Sequence, residues 1–154
     1  MKVNATATPK EKVEPILCEA VSTHPEYRHL NSIAGIHVDL RYASEDNFVG
    51  YDFYTPLDCA WLHCDAALAL ERARDWLLHA QPSLRLLVLD ALRPQRVQEQ
   101  LWKALQGTDL LGYLAPPERG SIHSFAMAVD VTLTDATGRE LDMGTAFDDL
   151  SEKS

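Results

Sequence analysis

The sequence predicts an α+β domain in which helices pack on a small, mostly antiparallel sheet. Helical patterns come early in the chain and the clearest hairpin pattern comes late, and this order favours separate helical and strand regions. An unbroken apolar run at residues 86–89 has the length of a buried strand. With 154 residues, of which 46% are hydrophobic, the chain is long enough for one domain with its own core.

The first part of the chain is predicted to contain an extension, a short helix and a strand. Residues 1–15 are polar and end at Glu14-Pro15, so we expect a polar extension there and a single domain over residues 16–154. Residues 16–22 are compatible with a short helix. Residues 36–42 alternate apolar and polar side chains, and this alternation predicts a half-buried strand.

A long helix is predicted at residues 59–80. Asp58 is a suitable N-cap, because its carboxylate can accept a hydrogen bond from an N–H group of the first turn. Gln81-Pro82 ends the helical pattern. The predicted buried stripe consists of residues at helical spacing, namely Leu62, Ala66, Ala69, Ala73, Trp76 and Ala80.

A buried strand and a second helix are predicted next. The apolar run at residues 86–89 stops at Asp90, and Arg93-Pro94 follows. Because proline suits the first position of a helix, we place the second helix at residues 94–105. Its predicted buried side chains are Val97, Leu101 and Leu105, and Gly107 is the stop signal.

The last third of the chain is predicted to be a loop followed by a hairpin. Residues 108–120, with Pro116-Pro117, are typical of a loop. Residues 129–134 and 140–143 flank a turn sequence from Asp135 to Gly138, which indicates an antiparallel hairpin. In the first arm we expect Val129, Val131 and Leu133 on the core face, and Asp130, Thr132 and Thr134 on the open face.

His123 and Asp130 are the candidate functional residues of this region. Imidazole nitrogen and carboxylate oxygen are ligands of catalytic zinc, with bonds of about 2.0–2.2 Å. An extended link would separate the two backbones by about 23 Å, so the chain must turn back at Ser124-Phe125-Ala126 if both residues hold one ion. The alternative is a loop histidine together with a carboxylate that caps a turn.

Arg93 lies at the junction of the buried strand and the second helix. At such a junction a side chain can face a cleft while rigid neighbours hold it. The alternative is a structural salt bridge between Asp90 and Arg93 that locks the turn. Because Arg93 lies outside the apolar run, the sequence predicts that Arg93→Ala leaves the fold intact.

The composition disfavours nucleic acid and membranes as partners. The net charge is −9, whereas nucleic acid and anionic membranes require basic surfaces. We find no apolar signal segment and no run of transmembrane length, so we expect a cytoplasmic protein, or a periplasmic one if a signal peptide was removed. Cys18, Cys59 and Cys64 lack a Cys-x-x-Cys spacing, which favours thiols over a disulfide framework. A metal cluster of Cys59, His63 and Cys64 is an alternative to ordinary helix packing.

Several motifs together resemble the zinc D-alanyl-D-alanine dipeptidases of the vancomycin-resistance type. These motifs are Asp-x-x-Arg-Pro at residues 90–94, Ser-x-His-(x)6-Asp at residues 121–130 and Met-Gly-Thr-Ala-Phe-Asp at residues 143–148. Residues 38–43 and 47–50 are similar to the family's first strand and the turn after it. The four blocks occur in family order over residues 36–154.

The resemblance implies the zinc D-Ala-D-Ala peptidase fold and hydrolysis of the dipeptide D-alanyl-D-alanine, which affects cell-wall peptidoglycan precursors. It makes His123 and Asp130 ligands of Zn(2+), and Arg93 the catalytic cation that stabilises the tetrahedral intermediate. Asp148 would bind the ammonium group of the dipeptide, and Tyr42 and Ser121 would line the substrate pocket. Asp90 would orient Arg93 from behind.

Two departures from the family pattern are present. Ala126 stands where the family usually has glycine, and a left-handed backbone there would cost about 1–2 kcal/mol. The family's third zinc ligand and general base come from a C-terminal Glu-x-x-His segment that residues 151–154 do not match. Glu26 and His29 have that spacing, but they precede the first predicted strand, so we interpret the match as coincidence. The resemblance therefore predicts a C-terminally truncated metallopeptidase-like domain with little or no activity.

Three interpretations of function remain open. The first is a zinc dipeptidase for a small dipeptide substrate. The second is a non-catalytic remnant that binds metal or dipeptide weakly. The third is a related peptidoglycan D,D-carboxypeptidase, or an endopeptidase that trims stem peptides.

Overall fold

The structure is a computed structural model that describes residues 15–149, so the predicted extension lies outside the described residues except for Pro15. The strands are β1 (Tyr27–His29), β2 (Ile36–Val38), β3 (Trp61–His63), β4 (Arg85–Asp90) and β5 (Asp130–Thr134), and the α-helices are α1 (Cys64–Ala80) and α2 (Gln95–Leu105). Short 3-10 helices connect them, among them Cys18–Thr23 and Asp109–Tyr113. The predicted α+β class is confirmed.

Two small sheets form the β part of the described chain. A three-stranded sheet has the order β2-β4-β5, with β2 parallel and β5 antiparallel to β4. β1 and β3 form a separate antiparallel pair. The parallel pair needs a long crossover, and α1 supplies it between β2 and β4.

β4 and α2 agree with the sequence prediction. Residues 86–90 of β4 are all buried, which explains why its sequence is an unbroken apolar run. α2 buries Val97, Leu101 and Leu105, and Pro94 lies immediately before its first residue. Gly107 adopts a left-handed φ of +82°, as a helix stop requires.

The predicted start and buried face of α1 are wrong. The helix begins at Cys64, where the ring of His63 accepts the N–H of Asp65, and Asp58 instead accepts from Ala60 in a turn. The buried residues are Ala67, Leu70 and Leu77, whereas Trp76 is 70% exposed. Burying leucine removes more apolar area from water than burying alanine, so the leucines set the face.

The open face predicted for β5 is also wrong. Thr132 and Thr134 are buried, and Val131 is 46% exposed. Val129 and Leu133 pack against the core as predicted. Alternation separates the two faces of a strand, but it does not reveal which face a neighbouring element covers.

Two predicted strands are shorter in the structure. β2 ends at Val38, and Arg41–Ala43 form a 3-10 turn in place of the last predicted strand residues. The return arm of the hairpin contributes a single bridge between Thr134 and Glu140. No helix within residues 15–149 is long and apolar enough to cross a membrane.

Candidate active site

A tight turn places His123. The 3-10 helix Ile122–Phe125 is capped by Ser121, whose Oγ accepts the N–H of His123 at 3.3 Å. Ala126 follows in the left-handed conformation, with φ 53° and ψ 32°. The N–H of Met127 donates to the carbonyl of Ile122, which closes the turn. The chain therefore turns back at Ala126, as the zinc interpretation of this motif requires.

The ring of His123 has one nitrogen occupied and one available. Nδ1 lies 2.9 Å from the carbonyl oxygen of Ala91, and only an N–H at that position can satisfy this acceptor. Nε2 then carries the lone pair in the neutral ring, and it lies 3.5 Å from Oδ1 of Asp130. A backbone carbonyl that fixes the tautomer is the usual partner of a metal-ligating histidine.

Asp130 lies at the first position of β5, opposite Asp90 in the register with β4. The register shifts between Val88 and Asp90, so an irregularity of the β4–β5 ladder lies directly at the site. Asp130 is part-exposed, and its Oδ2 is 3.6 Å from Nη2 of Arg93. Burial raises the pKa of Asp130, but the hydrogen bond and charge of His123 and the charge of Arg93 outweigh it, so the pKa lies below its usual value.

The pKa of His123 shifts in the opposite direction. Burial lowers it, as does the charge of Arg93, but the hydrogen bond to Asp130 and the carboxylates of Asp90 and Asp130 raise it above its usual value. His123 and Asp130 thus stabilise each other's charged forms when no metal is bound.

Asp90 holds Arg93 from behind. Asp90 is fully buried, and its Oδ2 accepts from Nε and Nη2 of Arg93 at 2.9 and 2.6 Å. Its Oδ1 accepts the hydroxyl of Tyr54 at 2.5 Å. Both oxygens are therefore used within the protein.

Arg93 is 6% exposed and remains charged. Burial alone would lower its pKa, but Asp90 raises it, so the net shift is upward. Nη1 donates to Oε1 of Gln98 at 3.2 Å, and the guanidinium carbon lies 5.1 Å from the centre of the Tyr42 ring. The Asp90–Arg93 salt bridge of the alternative interpretation is present, and the same contacts give a fixed cation.

Tyr42 and Asp148 form a second pair. The buried Tyr42 donates its hydroxyl to Oδ2 of Asp148, and Asp148 has a left-handed φ of 51°. Burial raises the pKa of Asp148, and the bond from Tyr42 only partly opposes this shift.

One cavity of about 400 Å³ brings the predicted site residues together. Its lining includes six of them, namely Tyr42, Arg93, Ser121, His123, Asp130 and Asp148. Asp90 does not line the cavity. A larger, open groove of about 810 Å³ shares Phe48 and Asp148 with it.

Tyr54 and Gln98 also belong to the site, through their bonds to Asp90 and Arg93, and the sequence motifs do not predict them. Gln98 had a detectable signal, because an amide stands on the helix face that also buries Leu101 and Leu105. Tyr54 lies in a loop whose sequence carries no periodic pattern.

The donor set fits a metal ion. Within residues 15–149, one group of three potential ligands is close enough, with donor atoms of Asp90, His123 and Asp130 within 4.8 Å of one another. Asp90 is fully buried and does not line the cavity, so the ligand atoms that face the cavity are Nε2 of His123 and the carboxylate of Asp130. Nitrogen with carboxylate oxygen is a set that suits zinc. Glu26 is not in this group, and His29 instead pairs with Asp58 at 2.8 Å.

Two potential metal ligands lie beside a fixed guanidinium in one cavity of an α+β domain, which is the arrangement that metal-assisted hydrolysis requires. The comparison with known families is more specific. The family model described as D-ala-D-ala dipeptidase, peptidase family M15, matches residues 26–154, and the chain belongs to this family.

A curated relative is similar over much of the chain. The D-alanyl-D-alanine dipeptidase of Escherichia coli (strain K12) is 38% identical over 119 residues, which cover 77% of this chain. The aligned region spans 58% of the relative's length.

Proposed function

We propose that the protein hydrolyses D-alanyl-D-alanine in a zinc-dependent reaction. The observation that carries this proposal is the single cavity lined by His123, Asp130, Arg93 and Asp148. Membership of the D-Ala-D-Ala dipeptidase family supports the substrate. Hydrolysis of this dipeptide would remove a building block of peptidoglycan precursors.

His123 and Asp130 would hold the metal ion. The bond from Nδ1 of His123 to the Ala91 carbonyl keeps Nε2 directed at Asp130, so both donors can meet on one ion. Zinc, when bound, supplies Lewis-acid chemistry by lowering the pKa of a water molecule to about 7 and polarising the scissile carbonyl.

Arg93 would stabilise the negative charge that develops on the carbonyl oxygen. A guanidinium has five N–H groups, of which Asp90 and Gln98 accept three. One N–H remains on each terminal nitrogen, and Arg93 lines the cavity. One preorganised donor of this kind is worth about 3–4 kcal/mol in an acyl-transfer enzyme.

Asp148 would bind the ammonium group of the free dipeptide. Its carboxylate lines the cavity and already accepts from Tyr42, which fixes its direction. The hydroxyl of Ser121 accepts from the His123 backbone, so its own O–H can donate to the substrate.

A D,D-carboxypeptidase is the second candidate, and one observation favours it. The open groove of about 810 Å³ continues from the cavity past Phe48 and Asp148, on the side where the amino end of a dipeptide would lie. A longer peptide could therefore extend into it. The third candidate, weak binding without catalysis, predicts no turnover of any peptide.

The experiment compares free and N-acetylated D-alanyl-D-alanine as substrates in the presence of zinc. A free ammonium at Asp148 adds a charge-assisted hydrogen bond of about 1.5–3 kcal/mol, so kcat/KM should favour the free dipeptide by about 10-fold to 100-fold. In Asp148→Ala this preference should shrink.

Controls separate the three candidates. His123→Ala should abolish hydrolysis, whereas His37→Ala, which changes an exposed histidine on β2, should not. Equal cleavage of both substrates would favour the carboxypeptidase. Zinc and dipeptide binding without release of D-alanine would favour the non-catalytic protein.

A further inference from the structure

Gln98 is a fully buried amide at a place where α2 otherwise buries Val97, Leu101 and Leu105. Burying an amide is unfavourable unless both of its ends are hydrogen-bonded. Both ends of Gln98 are bonded. Oε1 accepts from Nη1 of Arg93 at 3.2 Å, and Nε2 donates to the carbonyl of Ala115 at 2.7 Å.

The bonds from Asp90 hold one side of the Arg93 guanidinium. Nε and Nη2 both donate to the same atom, Oδ2 of Asp90. A planar group that is held at one acceptor atom can pivot about that atom. Gln98 holds the remaining nitrogen, Nη1, and this second anchor stops the pivot.

The second bond of Gln98 reaches the wall of the cavity. Ala115 belongs to the segment of residues 113–115 that lines the cavity together with residues 119–123. The side chain of Gln98 therefore connects the guanidinium of Arg93 to the backbone of this wall.

We infer that Gln98 is a positioning residue that sets the orientation of Arg93 toward the cavity and couples it to the wall at Ala115. This inference rests on the proposed role of Arg93. Gln98 is among the residues around the cavity but is fully buried, and its side-chain bonds go to Arg93 and Ala115, so its effect on the site passes through these two partners.

Gln95 supplies a matched control one turn earlier on α2. Its Nε2 donates to the carbonyl of Pro117 at 2.8 Å, so it anchors the same loop. This side-chain bond is to the loop and not to Arg93. Gln95→Met and Gln98→Met therefore each remove one loop bond, and only the second change also releases Arg93.

The first readout is steady-state kinetics of the zinc-loaded full chain on D-alanyl-D-alanine. Gln98→Met should lower kcat about 10-fold and leave KM within about twofold, because a fixed donor acts mainly in the transition state. Gln95→Met should keep kcat within about twofold of the wild type. In an Arg93→Lys background Gln98→Met should add little further loss, since residues that act through one another are not additive.

The second readout does not depend on activity. In NMR spectra of the protein with labelled arginine, the Nη1 and Nη2 signals of Arg93 should be separate in the wild type and in Gln95→Met, because rotation of the held guanidinium is slow. In Gln98→Met they should broaden or merge. If Gln98→Met does not fold, Gln98→Ala replaces it, since it also removes the acceptor for Arg93 and should also merge the signals; Gln98→Glu retains the acceptor and should keep them separate.

The outcomes distinguish this inference from the proposed function. Unchanged Arg93 signals in Gln98→Met, or equal kinetic losses in Gln95→Met and Gln98→Met, would overturn the positioning role. Absence of hydrolysis by the wild type would count against the proposed function, and the NMR signals would still decide whether Gln98 orients Arg93.

Discussion

Ala126 has two opposing effects at the turn that presents His123. Its left-handed backbone is unfavourable for a residue with a β-carbon by about 1–2 kcal/mol. Its methyl group is fully buried beside Val21 and Leu92, and burying one such group contributes about 0.8 kcal/mol. Glycine, which the family usually has at this position, would avoid the backbone strain but would lack the buried methyl group.

We expect Ala126→Gly to change the free energy of unfolding by less than about 1 kcal/mol, because the relieved strain offsets the lost methyl group and the greater freedom of the unfolded chain. Urea denaturation measures this change. Ala67→Gly is the control, since Ala67 is equally buried within α1 and should lose about 1 kcal/mol or more. A loss above about 2 kcal/mol in Ala126→Gly would show that the methyl contact dominates.

Arg93 is more important to the fold than the sequence indicates. The sequence predicts that Arg93→Ala leaves the fold intact, but Asp90 is fully buried and depends on Arg93 for its charge partner. Removing one member of a buried pair costs about 3–5 kcal/mol. We therefore expect Arg93→Ala to destabilise the fold strongly, in contrast to the prediction from the sequence.

Arg93→Lys separates stability from chemistry. Lysine keeps the positive charge beside Asp90 but lacks the planar fork that reaches Asp90, Gln98 and the cavity at once. We expect a folded protein with kcat reduced about 100-fold or more. Thermal melting and dipeptide kinetics on the same sample test this, and near-normal kcat in the folded variant would restrict Arg93 to a structural role.

At the scale of elements, α1 offers a direct test of which face is buried. Leu77 is 8% exposed and its neighbour Trp76 is 70% exposed. Leu77→Ala should lower the free energy of unfolding by about 2–5 kcal/mol. Trp76→Ala should change it by less than about 0.5 kcal/mol. Urea denaturation of the two variants identifies the buried face of α1. A larger loss of stability in Trp76→Ala than in Leu77→Ala would support the buried stripe predicted from the sequence.

The elements differ in how well their sequences predict them. β4 and α2 follow from local patterns, because an apolar run, Pro94 and Gly107 act within a few residues. α1 starts later than its pattern suggests because Trp61–His63 pairs with Tyr27–His29, a contact across more than 30 residues of chain. Local sequence carries little information about such a pairing.

At the scale of the whole molecule, zinc binding should depend on the folded tertiary structure. His123 comes from a turn and Asp130 from β5, so an ion that both residues hold stabilises only the folded chain. Zinc should raise the melting temperature of the wild type but not that of His123→Ala or Asp130→Ala. With two protein ligands the ion should be lost on dialysis, and full retention would indicate a further ligand.

The same binding should weaken as the pH falls. The metal requires the unprotonated Nε2, and the pKa of His123 is raised above its usual value of 6.5. The loss of zinc affinity should therefore begin at a higher pH than for an ordinary histidine. Titration calorimetry between pH 6 and 8 measures this, and constant affinity across that range would exclude His123 as a ligand.

Within residues 15–149 we assign two ligands, His123 and Asp130, and no general base, so a polypeptide of these 154 residues should hydrolyse the dipeptide slowly. Loss of a general base commonly lowers turnover about 100-fold to 10,000-fold. Rapid turnover would require other residues in these roles, and Glu26 and His29 would be the first to substitute.

The sequence is sufficient to predict the family, the buried strand β4, the helix α2 and six of the residues that line the cavity. These features rest on short motifs and local periodicity, in which each residue acts on close neighbours. Only tertiary contacts establish the buried faces of α1 and β5, the hydrogen bond from Tyr54 to Asp90, and the bond from Gln98 to Ala115. Each of these depends on partners distant in the chain, and a side chain that is buried by a distant element carries no local mark of what covers it.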